Sequence, residues 1–475
     1  MNMPLQREMT LDVMQTLLNN QKSAYLQSPA PTAAERITQL KQLKSALLAH
    51  QDNLVAALNA DYGQRSTEDS LISDVLPCVM NINYTIKRLK KWMKPQRRSA
   101  GLLLSPASIE VHYQPLGVIG VVVPWNFPIM LSVGPLISII AAGNRAMIKL
   151  SEFTPNTNQA LKVMFESIFD EQTVAIIEGE ADIAAQFTSL PFDHLLFTGS
   201  TAVGKHVMRA AADNLTPVTL ELGGKSPVII ADDIPIETAV ERLIYGKCLN
   251  AGQICVAPDY VFCPEEKVEE FITQYQKKYQ KMYGNKSESK DYSNVINDSQ
   301  HKRLLSWLDD AKLKGANVFA ANEQPINPNT RYLATQLITN TSDDMLLMQQ
   351  EIFGPLLPII GYKNINEAVD YINKGARPLA LYIMSFDSGI QQHLLTHTHS
   401  GGVCINETIM HTAADDAPFG GVGASGMGHY HGHEGFLTFS KAKTVLKRGK
   451  LNTGKLVHPP YGNFIQKLLL KTFLR

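Results

Sequence analysis

From Val111 to Asn144 the chain carries no Asp, Glu, Lys or Arg. An uncharged run this long belongs inside a protein or inside a bilayer, since charged side chains are what mark an exposed face. A bilayer span needs about 20 continuous helical residues. Here Pro115, Pro124, Pro128 and Pro135 interrupt the run, and Gly117, Gly120, Gly134 and Gly143 loosen it. The pattern predicts a buried strand over 118–123, a turn, and a buried helix ending at Ala142, with no membrane span. A chain of 475 residues is too long for one hydrophobic core, so two or more domains are expected.

Residues 9 to about 60 read as helices, with Ile37, Leu40, Leu43, Leu47 and Leu54 near helical spacing and Gly63 as the stop. "MKPQRRSAGLLLSPASIEVHYQP" follows, and its alternating "SIEVHY" suggests an exposed hairpin or arm. From 118 onward strands ("VIGVVV", "AMIKL", "TVAIIEG", "HLLFTG", "VTLEL") alternate with helices. That order implies a parallel sheet covered on both faces. After Gly223-Gly224 the alternation resumes with "SPVIIA", "DYVFC", "PLLPIIGY" and "LALYIMSF". Lys plus Arg and Asp plus Glu both number 44, so no nucleic-acid affinity is implied. Five cysteines without a C-x-x-C pair suit free thiols in a reducing compartment. "MNMPLQREMTLDV" has no apolar core of signal-peptide length, and the expected location is cytoplasmic.

"FTGSTAVGKH" nearly matches the phosphate loop G-x-x-x-x-G-K-[ST], but His206 stands where the magnesium-binding hydroxyl belongs. A strand, a turn and a helix start can favour an anion without a triphosphate, and can equally be only a turn. Gly421-Val-Gly423-Ala-Ser-Gly426 matches G-x-G-x-x-G, yet no strand precedes it and no helix follows, so it reads as a glycine-rich loop. His429, His431 and His433 could face one side of an extended chain and ligate a metal. With no other ligand cluster evident, they read as a solvated run, and no metal is expected. Cys255 in "GQIC" is on its own an ordinary small buried residue. Beside Glu221 in "ELGGKSP" and Asn126 in "PWNFP" it gains meaning, because a thiol, a carboxylate base and an amide donor are what acyl-transfer chemistry needs.

Together "PWNFP", "AAGN" with "KLSE", "FTGSTAVG", "ELGGKSP", "GQIC", "EIFGP" and "PFGGVGASGMG" resemble the aldehyde dehydrogenase superfamily. They stand in the family's order and cover residues from about 100 to 445. "CVAPDY" and "GMGHYHG" look like its class 3 branch and, within it, are similar to the bacterial coniferyl aldehyde dehydrogenases. The resemblance implies a doubly wound, Rossmann-like α/β cofactor domain (1–98 with 115–221), a second α/β catalytic domain (222–430), and a small bridging or oligomerisation element (99–114 with 431–475). It implies a homodimer. It also implies NAD, with NADP possible, held by Trp125, Lys149, Glu152, Gly199, Ser200, Gly204, Leu222, Glu351 and Phe353. In that arrangement Lys149 and Glu152 hold the adenosine ribose, the turn from Gly199 to Gly204 lies at the pyrophosphate, and Glu351 holds the nicotinamide ribose. A carboxylate at the ribose favours NAD because it repels a 2′-phosphate. Leu150 stands where the family carries Pro.

The implied reaction oxidises an aldehyde to the acid. Cys255 attacks, Asn126 and the Cys255 N–H hold the oxyanion, and Glu221 activates the water that releases the thioester. The substrate would be aromatic, such as coniferyl aldehyde, or a medium- to long-chain aldehyde. A cofactor-independent cysteine hydrolase or amidase is the alternative, and no Cys–His pairing in the sequence supports it. At the C-terminus Lys467, Lys471 and Arg475 form one helical face opposite Phe464, Ile465, Leu468 and Leu469, and the segment is expected to pack on its own chain or on a dimer partner, with a bilayer-surface role as the rival.

Overall fold

In a computed structural model, which describes residues 9–286, 288–327 and 330–474, the uncharged run forms the strand Val118–Val122 and the helix Pro128–Ala142. Pro128 sits in the first turn, where its missing N–H has no partner to lose. Gly143, at φ 91°, ends the helix, and a side chain there would strike the guanidinium of Arg36. That guanidinium is buried and donates to the Ala141 carbonyl at 2.8 Å, satisfying one acceptor at the helix end.

Val118–Val122 is central in a six-stranded sheet, running parallel with Arg145–Lys149, Val174–Ile177, His194–Gly199 and Val218–Leu222, while the short edge strand Gly426–Met427 is antiparallel. Successive residues face opposite sides. Val118, Met147 and Leu195 meet the helix Leu11–Gln27 on one face, and Ile119, Ile148 and Leu196 meet the core around Pro128–Ala142 on the other. The long helix Ala33–Tyr62 lies over that second face, opened by a capping box at Thr32 and Glu35 and closed by Gly63.

A seven-stranded sheet forms the second body. Leu356–Tyr362, Tyr260–Pro264, Pro227–Ile230, Ala380–Met384 and Gly402–Ile405 run parallel in it, with Gln336–Thr339 parallel and Asn317–Ala320 antiparallel at one edge. A three-stranded antiparallel sheet, Gln96–Arg98, Ser108–Pro115 and Ser440–Lys447, stands apart from both.

The structure redraws some of the expected boundaries. Gln96–Arg98 joins the small sheet rather than the cofactor body. Gly426–Met427 crosses the other way and pairs antiparallel with Val218–Leu222, Gly426 opposite Glu221. The helix Gly432–Thr438 packs on Leu76–Trp92 and Pro128–Ala142, because Phe436 belongs to their core. The tail forms the helix Phe464–Phe473, tied to the segment just before it where Gln466 donates to the His458 carbonyl at 2.9 Å. Phe464, Ile465 and Leu468 remain exposed; Arg475 lies outside the described residues. Among the described residues no helix is long and apolar enough to cross a membrane.

Gly426 has φ 139°, and an added Cβ would strike the Leu220 carbonyl. Gly426→Ala is expected to cost about 1–3 kcal/mol and to lower the melting temperature by several degrees. Gly449→Ala, with nothing within 4 Å of the added carbon, should leave it unchanged. Equal melting temperatures for the two variants in a thermal scan would show that the glycine loop yields freely.

Candidate active site between the two sheets

Cys255 follows a segment that the backbone resists. After the helix Ile236–Cys248 the chain passes through Asn250 (φ 50°), Ala251 (φ 54°) and Gly252 (φ 74°), three left-handed residues in succession. Such a turn persists only where its surroundings fix it. Gln253 supplies much of that, donating to the carbonyls of Asn250 (2.9 Å) and Asn294 (3.1 Å) and accepting from Ile296 N–H (2.9 Å). Gly252 admits no side chain, since a Cβ would lie 2.7 Å from the Gly354 carbonyl.

Asn126 faces this turn. Its Nδ2 donates to the Gln253 carbonyl at 3.1 Å, and its own carbonyl accepts from Tyr62 Oη (3.2 Å), Arg65 Nη1 (2.8 Å) and Asn250 Nδ2 (3.1 Å). Asn126 and Cys255 line one cavity of about 170 Å³, walled by Phe127, Met130, Tyr245, Ile409, Phe419 and Tyr430. Most of these wall residues come from segments far apart in the chain, and no sequence motif singles out Met130, Tyr245 or Ile409.

Burial dominates the electrostatics. The Cys255 thiol is pushed up to about 12 by desolvation first, then by the charges of Glu351 and Glu221. The buried Glu221 carboxyl lies well above the usual carboxylate range through desolvation, and neither of its oxygens has a hydrogen-bond partner. Glu351 is raised to about 8 by burial and then by Asp259. Burial thus biases all three groups toward their neutral forms.

The residues expected at a dinucleotide lie along the ends of the parallel strands. Ser200 caps the helix Thr201–Ala212 by accepting from Val203 N–H. Gly199 and Gly204 admit no Cβ without striking Phe197 (2.6 Å) and Leu222 (2.7 Å). Lys149 is buried at the end of its strand, donates to the Leu150 carbonyl at 2.7 Å and stands 3.7 Å from Glu152. Trp125 and Phe353 meet edge to face at 5.2 Å. A cavity of about 490 Å³ is lined by Thr201, Gly223, Gly224 and Glu351 among others. Glu351 Oε1 is buried without a partner, and the carboxylate occupies the space that a Cβ at Gly223 would need. An orphaned acceptor over a bare glycine backbone, beside a helix N-terminus, is compatible with a nicotinamide dinucleotide.

Two expectations are revised here. The histidines are not a solvated run: His431 is buried with Nε2 3.2 Å from the Ala417 carbonyl, His429 Nδ1 lies 3.0 Å from the Phe419 carbonyl, and His433 packs on Trp92. Each is taken up by loop packing, and they point to separate partners. A Cys–His contact also exists, Cys404 Sγ to His411 Nδ1 at 3.0 Å. Burial raises that thiol and lowers His411 to about 4, so both stay neutral and no thiolate–imidazolium nucleophile forms.

A thiol and an amide donor share a cavity where two parallel-sheet bodies adjoin, an arrangement suited to acyl-transfer chemistry. The sequence model of the aldehyde dehydrogenase family matches residues 8–445, and the chain belongs to that family. It is 52% identical to a probable coniferyl aldehyde dehydrogenase of Pseudomonas aeruginosa, over 99% of this chain and 98% of that one. A substrate-bound aldehyde dehydrogenase structure from Staphylococcus aureus superposes with TM-score 0.92 at 36% identity, covering 97% of this chain and 99% of that one. An NAD+ complex of an aldehyde dehydrogenase from Bacillus cereus superposes at 0.83 with 26% identity, covering 93% and 90%. The chain is an NAD(P)-dependent aldehyde dehydrogenase.

Cys255 alone of the five cysteines is not fully buried. N-ethylmaleimide is expected to label Cys255 first, at a rate that climbs with pH because the thiol is raised, and activity should fall in step. Peptide mass mapping checks this, and first labelling at Cys404 would contradict it.

Proposed function

We propose that this dehydrogenase oxidises aromatic aldehydes of the coniferyl type, with NAD preferred, through a thioester on Cys255 that Glu221 helps to hydrolyse. The observation that carries the reading is the shared cavity. A thiol and an amide donor line it, aromatic side chains wall it, and Glu221 acts on the thiol electrostatically while making no hydrogen bond of its own. Bound nicotinamide would supply the hydride acceptor. The remaining chemistry belongs to the chain. The Cys255 thiol gives its proton to solvent water and its sulfur bonds to the aldehyde carbon; the C=O π pair moves onto oxygen, and that oxyanion accepts from Asn126 Nδ2 and the Cys255 N–H, each worth roughly 3 kcal/mol in comparable sites. After hydride leaves, a thioester remains. Glu221, once ionised, takes a proton from the water that attacks it.

The substrate class is supported by the ring-lined cavity and by the names of relatives. Comparing kcat/KM across coniferaldehyde, benzaldehyde, hexanal and acetaldehyde tests it, and a preference for hexanal would turn the reading to aliphatic aldehydes. The preference for NAD is supported by Glu152 beside Lys149. The exposed apolar face of the tail helix and the small separate sheet suit a homodimer contact, which sedimentation would register. Free thiols suit the cytoplasm.

Glu152→Gln should narrow the NAD over NADP ratio of kcat/KM, since it removes the charge facing the 2′ position; an unchanged ratio counts against that placement. Glu221→Gln should leave a burst of one NADH per site followed by much slower turnover, with acyl-enzyme visible by intact mass. In the wild type, the deacylation rate should rise with pH beyond the ordinary carboxylate range. Glu221 is active only when ionised, and its raised pKa moves that ionisation upward. Wild-type steady turnover in the glutamine variant would sink the assignment.

A further inference from the structure

Arg65 and Asp74 form an ion pair at 2.6 Å with both side chains fully buried. Such pairs add little net stability compared with apolar residues of the same size, because desolvation offsets the attraction. Its geometry is more informative than its charge. One arm of the guanidinium, Nη2, holds Asp74, and the other, Nη1, donates to the Asn126 carbonyl at 2.8 Å. The second oxygen of Asp74 accepts the Met130 N–H at 3.0 Å. The loop therefore closes from Asn126 through Arg65 and Asp74 to Met130, bracketing the entry into the helix Pro128–Ala142. Between them, Phe127 lies under the guanidinium at 5.0 Å. Asp74 sits in a π-helical turn, Leu71–Val75, whose Ile72 and Ser73 line the substrate cavity. A π turn inside helical chain is a local distortion often kept at functional sites. Here it turns Asp74 inward while placing its neighbours on the cavity wall.

We propose that the Arg65–Asp74 pair is a positioning device that fixes the Asn126 amide against the Cys255 turn and ties it to the wall of the substrate cavity. The inference rests on Asn126 being the oxyanion donor. Arg65 touches no substrate in this role. It sets where the Asn126 side chain starts, and a small misplacement of such a donor has a large effect on rate. Tyr62 and Asn250 share the Asn126 carbonyl, so losing Arg65 loosens the segment without releasing it.

The test uses the full chain. Arg65→Met/Asp74→Asn removes both charges together, so no unpaired charge is left buried. Its melting temperature should stay near wild type, while kcat and the NADH burst rate fall by about tenfold or more and KM for the aldehyde changes little. In an Asn126→Ala background the same pair should cost less than about twofold further, because the donor it positions is already gone. Arg65→Lys keeps a cation beside Asp74 but cannot fork to the Asn126 carbonyl; it is the second variant if the charge-free pair does not fold. It should show the same loss in kcat, and the same disappearance of that loss with Asn126→Ala. Wild-type kcat in folded variants, or a loss that multiplies with Asn126→Ala, overturns the positioning role while leaving Asn126 in place. Wild-type kcat in Asn126→Ala itself overturns the oxyanion reading, and this inference with it.

Discussion

The main-chain carbonyl of Asn126 accepts hydrogen bonds from three parts of the chain: Tyr62 at the end of a long helix, Arg65 just after it, and Asn250 in the strained turn before the nucleophile. The first two belong with the cofactor body and the third with the other sheet. A carbonyl has only two lone pairs, so three donors signal crowding around a point that must not move. Much follows from it. The uncharged segment that carries Asn126 can stay buried because its polar backbone is satisfied here. The left-handed residues at 250 and 251 can persist because Asn250 is held from the far side. Cys255 and the Asn126 amide therefore meet across a junction of the two bodies.

That junction is dry, and dryness has a chemical consequence. Cys255, Glu221 and Glu351 each act as acids in an environment that penalises their anions, and the thiol is raised further by the two glutamates. A thiol pushed up to about 12 is a poor nucleophile at rest. Such a site guards its cysteine. A positive or polarised group entering the cleft would favour the thiolate. The burial that silences the thiol in the free protein also strengthens every electrostatic interaction formed once the cleft is filled.

The alternation of strands and helices was legible because it is written in local periodicity: Val118–Val122, His194–Gly199, Val218–Leu222 and Ala380–Met384 appear where the apolar runs placed them. Ser440–Lys447 was not legible. It is an exposed strand with lysines at 441, 443 and 447, and only its pairing with Ser108–Pro115 makes it a strand. Cys255, Asn126 and Glu221 stood out because each lies in a motif rich in glycine or proline, where backbone shape limits the sequence. The cavity wall did not, because Tyr245, Ile409 and Phe419 are ordinary apolar residues until the fold gathers them. The clustered histidines misled in the opposite direction, since spacing on paper says nothing of which carbonyl each one finds.

The two glycine motifs that imitate nucleotide loops turn out to be neighbours. Thr201, in the first turn of the helix after Gly199, donates its hydroxyl to the Ala424 carbonyl at 2.9 Å, and Leu222 N–H donates to the Ser425 carbonyl at 3.1 Å. The loop Gly421–Gly426 thus runs beside the helix N-terminus and along the strand that ends at Glu221. Its glycines are a requirement of close packing: a Cβ at Gly421 would strike Ser425, and one at Gly426 would strike Leu220. The loop carries no phosphate fingerprint of its own. It offers carbonyls rather than N–H groups to its neighbours, and so holds the edge of the sheet. The N–H groups left at the helix start beside Gly199 are then free for an anion, and Lys205, exposed on the outer surface of the helix, need take no part.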